Sequence, residues 1–258
     1  MPANLRGGVV KKGIGKDFVE RTKHKYLELS DQQKGLAQPP LIWPRQQVNP
    51  AISLPHPGNM PMSPVDLRSL IVQRASLREY SQKSLTLAEL SYLLWCTQGI
   101  KLIYGHQLTL RTVPSAGARH ALETVLLVNR VEALEPGVYR YLPVEHELEV
   151  ISTQPDLGGR FAAACFGQTL LMHCATAFVW VAVAYRMTWR YGDRGYRYLY
   201  LDAGHVCQNL YLASESIDAG TCAVGAFDDD ALNALLGLDE SESFVIYLAT
   251  VGKKPAGS

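Results

Sequence analysis

The sequence lacks the signatures of several large classes of enzyme. It contains no Gly-x-Gly-x-x-Gly after a strand-like segment, and its glycine- and lysine-rich stretch at residues 8–16 does not have P-loop spacing. Ser115 lies in Pro-Ser-Ala-Gly, which is not the Gly-x-Ser-x-Gly of a nucleophile elbow. The seven histidines are scattered along the chain, so we expect no metal site.

Strong charge of one sign is also missing. The formal net charge is +1, so we expect no binding to nucleic acid or to an anionic membrane. The most apolar segment, residues 176–185, is shorter than the roughly 20 residues that span a bilayer. The first residues do not form the apolar stretch of a secretory signal. These features favour a cytoplasmic protein.

Cysteine is present but without a pairing pattern. The five cysteines are odd in number and no two form Cys-x-x-Cys, so we expect buried, reduced thiols. Hydrophobic residues make up 47% of the chain and charged residues 19%, which is typical of a folded globular protein. The length of 258 residues fits one large domain or a domain with a long arm.

The first part of the chain differs in composition from the rest. Seven prolines fall between Pro39 and Pro61, which excludes regular helix and central strand there. Apolar residues in the same segment argue against a solvated linker. We therefore predict an extended arm at residues 1–62, lying over the body or over a partner subunit, and a single domain at residues 63–258.

The domain alternates helical and strand patterns without a regular βαβ rhythm. This predicts an α+β fold with a central, mainly antiparallel sheet flanked by helices. Ser63-Pro64 resembles a helix start, and Thr86 to Glu89 matches a capping box before a helix that ends near Gly99. The remaining predicted helices cover residues 161–171, 198–217 and 228–237, and the predicted strands cover residues 123–129, 137–142, 147–151, 176–185 and 244–251.

One short motif after the first predicted helix suggests a binding function. Arg74, Ser76 and Arg78 alternate, so on an extended chain their side chains project to one face. Two guanidinium groups and a hydroxyl form a suitable receptor for a phosphate monoester. The same pattern is also found at solvated edges and in surface ion pairs.

The order of motifs resembles a known family. After the arginine motif come Thr-Leu-Ala-Glu-Leu-Ser-Tyr-Leu-Leu-Trp, Arg-Thr-Val-Pro-Ser-Ala-Gly and a Tyr-Arg-Tyr to Gln-Asn-Leu-Tyr-Leu-Ala stretch at residues 196–213, and then Thr-Val-Gly at residues 250–252. This order resembles the nitroreductase-like flavoproteins. It is most similar to the SagB-type branch, which includes azoline dehydrogenases of peptide natural-product pathways. Glu20 to Lys23 in the arm is similar to that branch as well.

The resemblance implies FMN bound at the interface of a homodimer. It implies that Arg74, Ser76 and Arg78 hold the phosphate, ribityl and pyrimidine edge. The Pro-Ser-Ala-Gly segment would approach from the other subunit, and a loop after the long helix would pass beside the ring. A basic residue past the last strand would close on the phosphate. The residues so implied are Pro114, Ser115, Ala116, Gly117, Ala223, Val224, Gly225, Ala226 and either Lys253 or Lys254.

One departure concerns the implied catalytic pair. Azoline dehydrogenases have a Lys-Tyr pair before the long helix, and the matching residues here are Arg190 and Tyr191. Arginine is a poor general base because its pKa exceeds about 12. Tyr191 remains able to donate or accept a proton. Either another base is used or the substrate is not an azoline.

Other conspicuous residues have ordinary structural explanations. A single histidine on a helix is more often a buried, hydrogen-bonded residue than a catalyst, and we expect this of His205, His120 and His173. Trp95 and Trp180 are expected in the core.

Three functions remain open at this point. The first is an FMN-dependent dehydrogenase or oxidase acting on a ring in a small molecule or peptide, with O2 as the electron acceptor. The second is an NAD(P)H-dependent reductase of nitroaromatics, quinones or enones. The third is a non-catalytic scaffold that keeps the fold.

Overall fold

The computed structural model describes residues 13–45, 50–105 and 108–257. Most of the glycine- and lysine-rich stretch at residues 8–16 lies outside them. The described strands are β1 (Ala51–Ser53), β2 (Ile100–Tyr104), β3 (Leu108–Arg111), β4 (Leu122–Val128), β5 (Gly137–Leu142), β6 (Glu147–Ser152), β7 (Thr176–Val183), β8 (Ala219–Val224) and β9 (Ser243–Lys253). The helices are α1 (Ile14–Arg21), α2 (Leu67–Gln73), α3 (Leu87–Gln98), α4 (Leu157–Ala164), α5 (Leu170–His173), α6 (Ala184–Tyr191), α7 (Gly195–Glu215) and α8 (Asp229–Leu236).

Seven strands form one sheet in the order β1-β6-β5-β4-β7-β9-β8, and all neighbours pair antiparallel. Strands β2 and β3 form a separate hairpin. Strand β7 lies inside the sheet, between β4 and β9, and is almost entirely buried, as its β-branched and aromatic residues predict. The predicted α+β class with a mainly antiparallel sheet is confirmed.

Helices cover both faces of this sheet. One hydrophobic core joins the sheet to α3 and α7 and includes Leu90, Trp180 and Leu210. The second joins the opposite face to α4, α5 and α8 and includes Phe161 and Leu232. Because α7 runs along one face for 21 residues, it can position side chains at widely separated points of the same surface.

Local signals predicted several boundaries correctly. The capping box of α3 is present, with reciprocal hydrogen bonds between Thr86 and Glu89 and an end at Gly99. Asp228 caps α8, and Gly237 ends it in the left-handed conformation.

Two predicted helices were wrong in extent. Helix α2 begins at Leu67 rather than at Ser63-Pro64, because the Asp66 carboxylate accepts a hydrogen bond of 2.9 Å from the Ser69 N–H and caps the helix there. The helix predicted over residues 161–171 is two helices, α4 and α5. They are separated where Phe166 and Gly167 adopt φ values of 55° and 77°.

Several burial expectations were also wrong. Along α7, Leu201, His205 and Gln208 form an exposed stripe, so His205 is not a buried residue. His173 is exposed, whereas His120 is buried, and Trp180 is buried while Trp95 is 37% exposed. Of the five cysteines, Cys165, Cys174, Cys207 and Cys222 are buried and Cys96 is half-buried, and all are free thiols.

The arm is more structured than its prolines predict. Helix α1 precedes the proline-rich part, and β1 adds an edge strand that pairs with β6 through Ala51–Ser53 and Glu147–Glu149. An edge position is where a proline-rich segment can join a sheet. In the described part of the chain, no helix is both long and apolar enough to cross a bilayer.

Candidate functional site

The arginine segment, residues 74–78, is held in extended form against the outer edge of β8. Ser76 forms a parallel bridge with Thr221, and the Leu77 N–H donates a hydrogen bond of 2.9 Å to the Thr221 carbonyl. Leu77 packs over Gly220, where an added Cβ would lie 2.4 Å from Leu77 Cδ2. Since neighbouring side chains of an extended chain point to opposite faces, Arg74, Ser76 and Arg78 share the face away from Leu77.

A tyrosine of α7 completes this surface. The hydroxyl of Tyr211 lies 3.0 Å from Ser76 Oγ and accepts a hydrogen bond of 2.9 Å from the Ala223 N–H. The Arg74 guanidinium lies 5.3 Å from the centre of the Tyr211 ring. Sequence reasoning missed Tyr211 because its contacts reach across 135 residues of chain.

The two arginines of this surface have no acidic partners. In the part of the chain that the structure describes, no carboxylate lies within 4.0 Å of the guanidinium of Arg74 or Arg78. Arg74 is half-buried, Arg78 is exposed, and the Arg78 side chain lies 3.5 Å from the Ser76 carbonyl. Two positive groups without counterions form a surface that favours an anion.

The loop after β8 presents main-chain N–H groups next to this surface. Ala223 is half-buried, Val224 is buried, and Gly225 and Ala226 are exposed. The N–H groups of Gly225 and Ala226 have no hydrogen-bond acceptor among the described residues, whereas the Ala226 carbonyl accepts a bond of 2.7 Å from Gln168. A Cβ added at Gly225 would contact only Tyr247, at 3.8 Å, so the loop leaves room for a flat ligand.

The Pro-Ser-Ala-Gly loop, residues 114–117, is fixed by a carboxylate from the middle of α7. Asp202 accepts hydrogen bonds from Ser115 Oγ at 2.6 Å and from the Ala116 N–H at 3.2 Å. Ser115 Oγ in turn accepts from the His120 N–H at 2.9 Å. Burial raises the pKa of Asp202, and the bond from Ser115 partly offsets this. Sequence reasoning assigned Asp202 no role.

The same loop touches the predicted catalytic pair. Gly117 has a φ of 57°, and a Cβ added there would lie 2.4 Å from the Tyr191 hydroxyl and 2.9 Å from Arg190 Nε. Arg190 is exposed and Tyr191 is half-buried. Tyr191 also meets Tyr198 edge to face, with ring centres 4.8 Å apart. The structure therefore brings Gly117, Arg190 and Tyr191 together.

The two C-terminal lysines are engaged within the chain. Lys253 Nζ lies 2.5 Å from a Glu89 carboxylate oxygen and donates to the Ile217 carbonyl at 2.7 Å. Lys254 Nζ lies 2.5 Å from Glu215. Contact with a phosphate would require either ammonium to leave its glutamate.

These features form two separate groups in one subunit. Tyr211 lies with the arginine segment, and Asp202 lies with the Pro-Ser-Ala-Gly loop. Asp202 and Tyr211 are nine positions apart on α7, which corresponds to about 14 Å along the helix axis. Among the described residues there is no group of three or more potential metal ligands.

The family is decided by comparison with known proteins. The model of the Nitroreductase family matches residues 71–253, which include both groups of site residues. The chain belongs to the nitroreductase family of oxidoreductases. Residues before 71, including the whole arm, lie outside the matched region.

Two relatives differ in how closely they match. A protein of Methanocaldococcus jannaschii that carries the name nitroreductase, MJ1384, is 36% identical over 190 residues, covering 74% of this chain and 92% of the relative. The trifolitoxin operon protein TfxC of Rhizobium leguminosarum bv. trifolii is 28% identical over 199 residues. That match covers 70% of this chain and 54% of TfxC, so the chain spans about half of that relative.

Solved structures agree on the fold. A nitroreductase-named protein from Ralstonia eutropha superposes with a TM-score of 0.66 and 26% identity, covering 86% of this chain and 96% of its own. A chain of the E. coli microcin synthetase McbBCD complex with truncated pro-MccB17 bound has a TM-score of 0.60 and 19% identity. It covers 94% of this chain and 92% of its own, and at this identity the likeness concerns the fold alone.

Proposed function

We propose that this protein is an FMN-dependent oxidoreductase of the SagB type, acting as a homodimer on a ring in a small molecule or peptide. The observation that carries the proposal is the surface formed by Arg74, Ser76, Arg78 and Tyr211. Among the described residues, its two arginines have no acidic partner, and the neighbouring main-chain N–H groups of Gly225 and Ala226 have no acceptor. A phosphate bearing a flat heterocycle is the ligand class that fits both features.

The described residues fit the phosphate end of FMN. Arg74 and Arg78 would bind phosphate oxygens through charge-assisted hydrogen bonds, and the Ser76 hydroxyl would add a donor. Tyr211 holds Ser76 and the Ala223 N–H in place, so the receptor is organised before the ligand arrives.

The loop at residues 223–226 fits the heterocycle. Gly225 and Ala226 would place their free N–H groups along the ring edge, because neither carries a side chain that prevents close approach. Bound FMN would supply the two-electron chemistry, accepting or donating a hydride. Hydrogen bonds from these N–H groups would tune the redox potential of the flavin ring.

The homodimer is supported by the surface of α7 and its neighbours. Tyr200 and Leu201 on α7 are 58% and 59% exposed, and Ile71 and Val72 of α2 are 55% and 76% exposed. Exposed apolar side chains on neighbouring helices are typical of an interface between subunits. A two-fold pairing through α7 would bring the Pro-Ser-Ala-Gly loop of one subunit toward the arginine segment of the other. A solution mass of twice 28.5 kDa is expected.

Arg190 and Tyr191 would act on the substrate. Tyr191 has a phenol that can donate or accept a proton, and its hydroxyl lies beside Gly117 of the loop that would face the ring. The guanidinium of Arg190 would orient an electron-rich group of the substrate rather than remove a proton. The similarity to TfxC supports a peptide as the substrate class, since that relative belongs to a trifolitoxin operon.

The first experiment is the absorption spectrum of the purified protein after incubation with FMN and gel filtration. Peaks near about 450 nm and about 370 nm on the protein fraction are expected from an oxidised flavin. A colourless protein that retains no FMN would contradict the proposal and favour a non-catalytic scaffold.

A second function is favoured by the similarity to MJ1384, which carries the name nitroreductase. Under this alternative the protein is an NAD(P)H-dependent reductase of nitroaromatics, quinones or enones. Anaerobic mixing of the FMN-loaded protein with NADPH and with NADH separates the two functions. Rapid bleaching of the flavin supports the reductase. A flavin that stays oxidised with both supports the dehydrogenase, in which O2 accepts the electrons.

A further inference from the structure

The arm contacts the helix that carries Arg190 and Tyr191. The main-chain carbonyl of Trp189 accepts a hydrogen bond of 2.8 Å from the Gln32 N–H, and the Trp189 indole donates one of 3.1 Å to the Leu36 carbonyl. Tyr185, one turn earlier on α6, donates to Asp31 at 3.1 Å. Arm residues 31–36 are therefore bound along α6.

Trp189 also contacts the other part of the candidate site. Its ring is 95% buried and lies 5.3 Å from the guanidinium of Arg119, which immediately follows the turn that contains Gly117. Trp189 thus lies between the arm on one side and the end of the Pro-Ser-Ala-Gly loop on the other. The two residues that follow it are Arg190 and Tyr191.

A second connection reaches Tyr191 from Thr22 of the arm. Arg194 donates a hydrogen bond of 2.9 Å to the Thr22 carbonyl and another of 2.8 Å to the Tyr198 hydroxyl. Tyr198 is the residue whose ring meets Tyr191 edge to face at 4.8 Å. Arg194 therefore joins the arm to the ring that supports Tyr191.

The arm segment around Thr22 is fixed at more than one point. Arg197, on the first turn of α7, donates to Thr22 Oγ1 at 2.7 Å and to the Val19 carbonyl, and its guanidinium lies 5.9 Å from the centre of the Phe18 ring. Thr22 is 97% buried although the neighbouring arm residues are exposed. A chain segment held by three side-chain hydrogen bonds has a defined position, so a change in that position can reach the residues bonded to it.

We propose that residues 14–36 of the arm are a positioning element for Tyr191, acting through Arg194 and Tyr198 on its ring and through Trp189 on its backbone. Both connections end at the residue that the proposed function places at the substrate, and the inference rests on that function. Arg194 and Trp189 are positioning residues, since neither contacts the arginine segment. Loss of either connection should displace Tyr191 while FMN binding is retained.

The test compares Arg194→Met with Arg160→Met in the full-length protein. Arg194→Met removes both bonds of the connection. Arg160 is an exposed arginine on α4 whose side chain bonds only to Gln154 within the described residues, so its variant controls for loss of an arginine. Hydrogen–deuterium exchange of the protein without FMN is the first measurement.

Faster exchange is expected in Arg194→Met both at arm residues 14–36 and at residues 187–192, with no change in Arg160→Met. The inference is overturned if residues 187–192 keep the wild-type exchange, whether or not the arm becomes faster. This measurement needs no flavin. If the wild type takes up no FMN, the proposed function fails, and the exchange pattern alone still decides whether the arm positions the pair.

The FMN-loaded protein supplies the functional measurement. In Arg194→Met, kcat is expected to fall by about tenfold or more, because small displacements of a reacting group cost that much. FMN affinity should stay unchanged. In a Tyr191→Phe background the same substitution should have little further effect. An equal fall in both backgrounds would mean that Arg194 does not act through Tyr191 and would overturn the inference.

Discussion

The carboxylate of Asp202 lies 2.6 Å from Ser115 Oγ, and this contact links the long central helix to the Pro-Ser-Ala-Gly loop. The second oxygen of the same carboxylate accepts from the Ala116 N–H at 3.2 Å. One side chain therefore fixes two consecutive residues of the loop. The loop position depends on a residue that lies 87 positions later in the chain.

Asp202→Asn should disturb that loop. The amide has one acceptor oxygen in place of two, so its NH2 group would face one of the two donors, Ser115 Oγ or the Ala116 N–H. This should cost about 1–3 kcal/mol of unfolding free energy. Because burial raises the pKa of Asp202, the wild-type residue contributes most stability at low pH and less as pH rises through its folded pKa. Urea unfolding at several pH values should therefore show the largest loss in the variant at acid pH. A loss that grows with pH would contradict this.

Gly117→Ala tests the contact between the loop and Tyr191. The substitution adds a methyl group that would lie 2.4 Å from the Tyr191 hydroxyl, at a φ of 57°. Gly237→Ala is the matched control, because Gly237 has a φ of 65° and no atom within 4 Å of an added Cβ. Both variants should lose about 1 kcal/mol from backbone strain. Only Gly117→Ala should also lose turnover, and equal turnover in the two variants would count against the contact.

His120 should make the protein sensitive to acid. Burial and the nearby Arg111 lower its pKa to about 3 from a usual value of 6.5. Such a histidine makes its full contribution to the free energy of unfolding above the pKa that it has in the unfolded chain. This contribution is lost as the pH falls toward the pKa that it has in the folded protein. The expected slope is about 1.4 kcal/mol per pH unit. His120→Asn, which tolerates the observed φ of 44°, should remove this component from the pH dependence of unfolding. An unchanged slope would contradict it.

Glu123 stabilises a buried charge cluster. Its carboxylate lies 2.6 Å from Arg186, accepts from the Trp43 N–H at 2.8 Å and faces the fully buried Arg111. Glu123→Gln removes the charge that pairs with the buried Arg186, which should cost about 3–5 kcal/mol of unfolding free energy. Glu145→Gln at the exposed turn should leave stability unchanged. The urea midpoints of the two variants measure the difference, and similar midpoints would rule out this role.

Local features of the fold could be predicted from the sequence, whereas long-range contacts could not. The capping box of α3 and the strand β7 depend on neighbouring residues, so their patterns are visible in the chain. The alternation of Arg74, Ser76 and Arg78 is local as well. Tyr211 and Asp202 reach the site only because α7 crosses the sheet, and no spacing rule encodes their contacts.

The sequence also does not show which side chains form ion pairs within the chain. The sequence suggests Lys253 and Lys254 as free cations near a phosphate. The register of β9 with β8 instead places them beside Ile217 and Asp218, and their ammonium groups bind Glu89 and Glu215. The exposed stripe of Leu201, His205 and Gln208 on α7 could not be predicted either. A periodic pattern along a helix does not indicate whether that face contacts the core or a second subunit.

The most direct test of the central claim is the FMN affinity of Arg74→Ala, measured by titrating FMN into the flavin-free protein and following flavin fluorescence. Removing this guanidinium deletes a charge-assisted bond worth about 1.5–3 kcal/mol, so Kd should rise by about tenfold to a hundredfold. Arg160→Ala is the control and should bind as the wild type does. Wild-type affinity in Arg74→Ala would contradict the assignment of the arginine segment as the phosphate site.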